Sequence, residues 1–390
     1  MRRYASWMRG LHLGPGGNIT SDTLFRLSSN SPGGVLFPKL ESLLWNIQKT
    51  STALTFFRLF LSPHLRYVVF CALPSLPAIP RDQLATLAQV ISFLPTSLED
   101  LIIVCGQEEG PLSDAVSSFI CRCGPSLRGL CVHALLSEAA IRHLMGLPNL
   151  RYWATVQGPP PIVPASIFPS LRDLRLEKPT ALPWLHLLAS HAEGVHRDVS
   201  TSVTSHSNTR ETLKFLTCPW GITIDSASLS SIVKFRNLVE LQMHTHCSDV
   251  GSCVFHLTDR NMEDLTAMLP RLKTLLLGPP CLFNSCKTTV VSLMSTSIQC
   301  PDLTVLGTHF NTLTIVSDMR RLLDDGVGRD KVKCRLPSLS VGSLLLGVRG
   351  GDIGTVALGF KAIFPYLTDF LTDPGADKDG WYRLKSKLRD

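Results

Sequence analysis

The chain has 390 residues, of which 44% are hydrophobic, 18% charged and 7% aromatic, with a formal charge of +7. An ordinary apolar fraction with few charges excludes a disordered chain, and glycines and prolines without a three-residue period exclude a collagen-like one. No lysine/arginine run reaches the roughly five to eight residues of a nucleic-acid patch, so no nucleic-acid partner is expected.

Met1 to Arg9 carries charge but no apolar stretch of the kind that follows in a signal peptide. Leu54 to Leu76 is strongly apolar, yet Arg58, Pro63, His64, Arg66 and Pro74 break it. It falls short of the roughly 18 apolar residues that a membrane span needs. The expected location is therefore the cytoplasm or nucleus, with no membrane partner. In that setting the twelve cysteines are expected as reduced thiols packed like small hydrophobes.

One short pattern recurs along the chain: a proline, any residue, a leucine, then apolar residues three and usually five positions later. It opens at Pro38, Pro63, Pro125, Pro148, Pro169, Pro270, Pro301, Pro337 and Pro365, and related units start at Leu98, Leu213 and Leu238. Leu171-Arg172-Asp173-Leu174-Arg175-Leu176 and Leu272-Lys273-Thr274-Leu275-Leu276-Leu277 are clear copies. The last two apolar positions are two apart, so they share one face of a short strand. The proline ends any preceding helix and biases its predecessor toward extended geometry.

Between the strands the apolar spacing turns helical. Leu84, Leu87, Ala88, Ile91 and Leu94 lie on one helix face, as do Met262, Leu265 and Leu269, with Thr258 or Asp259 as the N-cap and Pro270 beyond the end. Val356, Phe360, Ile363 and Phe364 repeat the pattern before Pro365. The stretch 191–210 is polar and rich in Ser and Thr without periodicity, which predicts a surface loop. Starts are 21 to 42 residues apart. This predicts an α/β leucine-rich-repeat solenoid, a horseshoe of irregular strand–helix repeats, as a single domain over 1–390. A doubly wound α/β sheet also alternates strands and helices, but the shared opening of so many units favours repeats.

With these starts in place, the chain resembles the repeat region of fungal F-box/leucine-rich-repeat proteins. The resemblance rests on the F-P-x-L openings at Phe37 to Leu43, Phe168 to Leu174 and Phe364 to Phe370, on Tyr4-Ala5 to Arg9-Gly10-Leu11, and on Cys300-Pro301-Asp302-Leu303. It implies substrate recognition for a ubiquitin ligase. The family usually begins with an F-box. Here the first repeat-like strand, near Arg9 to Leu13, leaves no room for one, and Ile79-Pro80-Arg81-Asp82-Gln83-Leu84 reads as a repeat helix. A ligase adaptor subunit is thus an expected partner only if an F-box lies upstream; without one, a free-standing interaction scaffold is the alternative.

Chemistry is sparse. His244, His246, Cys247, Asp249, Cys253 and His256 form the best metal or enzyme candidate, but no C-x-x-C closes a tetrahedron. Cys121 with Cys123, and Cys281 with Cys286, have no better spacing. Gly347 to Gly354 matches neither nucleotide-binding glycine pattern. No G-x-S-x-G or H-E-x-x-H occurs. The expectation is a non-enzymatic protein without cofactor or metal. Stacked repeats expose the residues between the buried strand positions on one continuous concave face. In this register those are Tyr67, Asp100, Tyr152, Asp173, Arg175, Phe215, Glu240, Gln242, His244 and His309, whose aromatic and charged groups suit a protein substrate or partner.

Overall fold

The computed structural model describes residues 7–13, 21–29, 34–46, 54, 56–71, 80–104, 110–156, 159, 167–176, 181–194, 213–218, 226–243, 256–278, 287–308, 310–326, 334–342, 346, 348, 352–372 and 378–389. They fall into two compact units that meet in sequence between Leu174 and Arg175. Each is treated by itself.

The first unit runs β1 (Gly10–Leu13), α1 (Ser21–Ser29), β2 (Ser42–Asn46), a 3-10 turn (Phe57–Phe60), β3 (Tyr67–Cys71), α2 (Arg81–Ser92), β4 (Asp100–Val104), α3 (Pro111–Arg122), β5 (Gly129–Val132), α4 (Glu138–Met145) and β6 (Tyr152–Thr155). The strand β7 (Asp173–Leu176) crosses the boundary. The second unit continues with α5 (Ala181–Gly194), β8 (Phe215–Cys218), α6 (Ser226–Ile232), β9 (Glu240–Met243), α7 (Asp259–Met268), β10 (Thr274–Leu277), α8 (Val290–Gln299), β11 (Val305–Thr308), α9 (Ile315–Asp324), β12 (Ser338–Gly342), α10 (Ile353–Ile363), β13 (Asp369–Thr372) and α11 (Lys378–Arg389).

Within each unit every strand pairs in parallel with its neighbours in sequence, β1 through β6 and β8 through β13. No order reverses inside a unit, which removes the doubly wound alternative there. The buried strand residues stack in register: Leu43, Val68, Leu101, Leu130 and Trp153 in one unit, Leu216, Leu241, Leu275, Leu306, Leu339 and Phe370 in the other. Parallel strands need long crossovers, and helices supply most of them. The expected helix faces are the buried ones: Leu84, Leu87, Ala88 and Ile91 in α2, Met262 and Leu265 in α7, and Val356, Phe360 and Ile363 in α10. Thr258 is the N-cap of α7, closed by a reciprocal bond with Asn261. Aromatic rings join helical and strand layers, with Phe57 on Trp45 and Phe70, and Phe370 on Phe360 and Trp381.

The recurring proline has a more specific role than ending helices. The carbonyl of the residue before it accepts the N–H of the following leucine: Phe37 to Leu40, Ser62 to Leu65, Gly124 to Leu127, Phe168 to Leu171, Leu269 to Leu272, Cys300 to Leu303 and Phe364 to Leu367, at 3.0–3.5 Å. This is a β-turn with proline at its second position, where its fixed φ is already correct. The residue between proline and leucine then ties the turns together. Asn149 donates to the Pro125 carbonyl and Ser170 to that of Pro148, at 2.7 and 2.5 Å. Phe168 adopts φ 49° there, a left-handed conformation held by burial against Trp153.

Two expectations need correction. Leu339 pairs with Leu306 and Phe370, so it occupies the second strand position; Leu336 is the opening leucine of that repeat, and Pro337 fills a position that elsewhere donates an N–H. Residues 191–194 close the helix α5 and are not loop, while 195–210 lie outside the described residues.

Candidate functional site

The repeat L-x-x-L contains a conflict that a plain strand cannot resolve. Alternation would place one of two residues three apart on the wrong face. Yet Leu65 and Val68 are both buried, and so are Leu98 and Leu101. The backbone resolves this with a kink at the start of β2 to β7, β9 to β11 and β13. The Glu41 carbonyl accepts the N–H groups of both Arg66 and Tyr67, at 2.8 and 3.0 Å. Arg66 does the same for Glu99 and Asp100, Glu99 for Arg128 and Gly129, Arg128 for Arg151 and Tyr152, and Arg151 for Arg172 and Asp173. In the second unit Lys214 serves Val239 and Glu240, and Val239 serves Lys273 and Thr274. The strands stay in one-to-one register through this shared-acceptor turn. It turns both intervening side chains away from the core.

Each repeat therefore contributes to two adjacent rows outside the core. In the first unit the first row is Arg9, Glu41, Arg66, Glu99, Arg128, Arg151 and Arg172, and the second is Gly10, Ser42, Tyr67, Asp100, Gly129, Tyr152 and Asp173. Charges in the first row are paired between rungs. Arg9 meets Glu41, and Glu99 lies 3.2 Å from Arg66 and 3.0 Å from Arg128. The Tyr67 hydroxyl donates to Glu99 at 3.4 Å. Beside this bridge, burial raises the pKa of Asp100 above its usual range, with the charge of Glu99 adding to the rise and Arg128 opposing it. Gly129 leaves room for that carboxylate; a Cβ there would run into it. Further along the strands the outward row turns apolar, with Leu44, Val69 and Ile102 half-buried and Cys131 and Ala154 buried.

In the second unit the second row reads Phe215, Glu240, Thr274, Val305, Ser338 and Asp369. The Gln242 amide donates to Glu240 at 2.5 Å, and Lys385 of α11 pairs with Asp369 at 2.5 Å.

Of the residues expected on the recognition face, Tyr67, Asp100, Tyr152 and Asp173 share a row in the first unit. Phe215 and Glu240 share one in the second, with Gln242 two positions on along β9 and Arg175 exposed on β7. His244 and His309 lie outside the described residues. Missed altogether were Arg66, Glu99, Arg128, Arg151 and Arg172, because strict alternation assigns only one of the two x positions outward. The three-residue spacing of buried leucines was the available signal.

Of the metal candidate only His256 is described, and it is exposed; His244, His246, Cys247, Asp249 and Cys253 fall outside the described residues, as do Cys281 and Cys286. Among the described residues no three His, Cys, Asp or Glu side chains converge as a metal site, and no helix is long and apolar enough to cross a membrane. Seven described cysteines are free thiols. Burial pushes Cys123, Cys218 and Cys300 up to about 12, and the thiols of Cys300 and Cys334 bond to the Leu269 and Leu303 carbonyls of the preceding repeats. Of the glycine segment, Asp352 is the N-cap residue of α10 and pairs with Arg320 at 2.7 Å.

No family model matches the chain, and no curated protein matches it in sequence. Among solved structures, the leucine-rich repeat-containing protein LegL7 from Legionella pneumophila aligns over 97% of this chain and 96% of its own length, at 12% identity and a TM-score of 0.34. At that TM-score the assignment of parallel strand–helix repeats rests on strand order and register alone.

Proposed function

We propose that the chain is a non-enzymatic, protein-binding scaffold of the leucine-rich-repeat type, using the solvent-facing rows at its strand starts, on a concave face, for recognition. The observation that carries this reading is the kinked start shared by most of the described repeats, which sets two positions per rung outside the core in a fixed array. Arrays of this kind need no cavity and can vary residue by residue without disturbing the buried leucines. Tyr67 and Tyr152 supply aromatic contact area, and the arginines supply directional hydrogen bonding, the residue types that dominate protein interfaces.

Photo-crosslinking tests it. A benzoyl-phenylalanine placed at Tyr67 or Tyr152 should give a discrete, saturable protein adduct in cell extract, whereas the same group at Phe93, beside the helices, should not. Adducts from both sides alike, or from neither, would refute the reading. The F-P-x-L openings extend the proposal to substrate recognition for a ubiquitin ligase. Retention of a ligase adaptor subunit by the intact native gene product in a pull-down supports that extension, and its absence leaves the free-standing scaffold.

A further inference from the structure

The ion pairs of the first row are unevenly spread. Arg9 is matched by Glu41, and Glu99 is shared by Arg66 and Arg128. The next two rungs bring Arg151 and Arg172, both exposed, and the first row holds no carboxylate beside them. Neighbouring strands lie about 4.8 Å apart, so Arg128, Arg151 and Arg172 span about 10 Å on one side of the unit. Tyr152 follows Arg151 in the second row, and Gly129 follows Arg128 without a side chain. Asp100 lies nearer to Arg128 than to Arg151 and Arg172 along the row, and Asp173 holds an interaction of its own.

Arg151 and Arg172 have no carboxylate in their own row, whereas Arg128 is held by Glu99 and adds only its charge at the edge. Each guanidinium presents a planar fork that can take both carboxylate oxygens. An extended peptide repeats its same-face side chains about every 7 Å, so two acidic residues fall within the reach of Arg151 and Arg172. We propose that Arg151 and Arg172, flanked by Tyr152 and by the charge of Arg128, form a docking site for an acidic peptide segment of a protein partner. This rests on the reading of the chain as a recognition scaffold and names the chemistry of what it recognises.

The probe is a fluorescein-labelled peptide of about ten alternating Glu and Asp residues, followed by anisotropy with the full chain. Binding should be saturable and should weaken as salt is raised from about 50 to about 300 mM, because exposed charges are screened over shorter distances. The Arg151→Gln/Arg172→Gln double variant should bind at least tenfold more weakly, and Arg151→Lys/Arg172→Lys should recover part of the loss. Arg335→Gln, an exposed arginine of the second unit, should bind like the parent. Circular dichroism should show every variant folded. Failure of the parent to bind at millimolar peptide, or equal affinity of the double variant, overturns the proposal. So does an oligothymidylate of similar length that binds as tightly and through the same arginines, which would point to nucleic acid instead. The crosslinks from Tyr67 and Tyr152 separate the two ideas: adducts without acidic-peptide binding remove only the acidic partner, and loss of the adducts removes the scaffold itself.

Discussion

Replacing Glu99 by glutamine keeps the shape of the side chain and takes one charge out of a bridge across three rungs. The Glu99 side chain is 12% exposed, those of Arg66 and Arg128 58% and 51%, and the contacts are 3.2 and 3.0 Å. Opposite unit charges about 4 Å apart attract by about 1 kcal/mol in bulk water and about 4 kcal/mol at an effective dielectric of about 20. The exposed guanidinium heads hold the interaction near the lower value, and desolvation of the carboxylate offsets part of it. With exposed pairs worth about 0.2–1 kcal/mol each, Glu99→Gln should destabilise the first unit by about 1 kcal/mol. The glutamine oxygen can still accept from Tyr67, so the loss should be chiefly coulombic. Urea titration at neutral pH measures it. At about 1 M NaCl the screening length shrinks to about 3 Å, and the difference between parent and variant should fall by half or more. A variant as stable as the parent at low salt, or a difference indifferent to salt, refutes the bridge as an electrostatic tie.

Asp100 predicts a pH dependence of unusual sign. Its pKa is raised in the folded protein, so the folded state binds more protons and stability falls as pH rises from the ordinary 3.8 through the folded value. Asp100→Asn should match the parent in acid and exceed it at neutral pH, as read from urea midpoints across that range; a variant less stable than the parent at neutral pH contradicts this. The thiols should react by location, since the thiolate is the nucleophile. Iodoacetamide at about pH 8 should label exposed Cys121 within minutes and leave Cys123, Cys218 and Cys300 unlabelled until urea is added. Peptide mass spectrometry reads the order, and early labelling of Cys218 would show that its burial is wrong.

Local spacing alone was enough to place the buried leucines and the helix faces. Leu171, Leu174 and Leu176, or Leu84, Leu87 and Ile91, declare their partners within a few residues, because burial on a strand or helix face depends only on periodicity. The proline-leucine openings were equally legible as punctuation. That they are β-turns laced together by Asn149 and Ser170 was not, since those bonds run between residues more than twenty apart in sequence. The slip at Leu336 and Leu339 has the same origin: one proline fits the local pattern in two registers, and only pairing with β11 and β13 chooses between them.

The solvent-facing rows divide in the same way. The chain itself supplies the residue types, Tyr67, Asp100, Tyr152 and Asp173 among them. Tertiary structure decides that Arg66, Glu99, Arg128, Arg151 and Arg172 form a second row beside them. A carbonyl that accepts two consecutive N–H groups exists only once the neighbouring strand is in place, and that cross-strand bond is what turns both side chains outward.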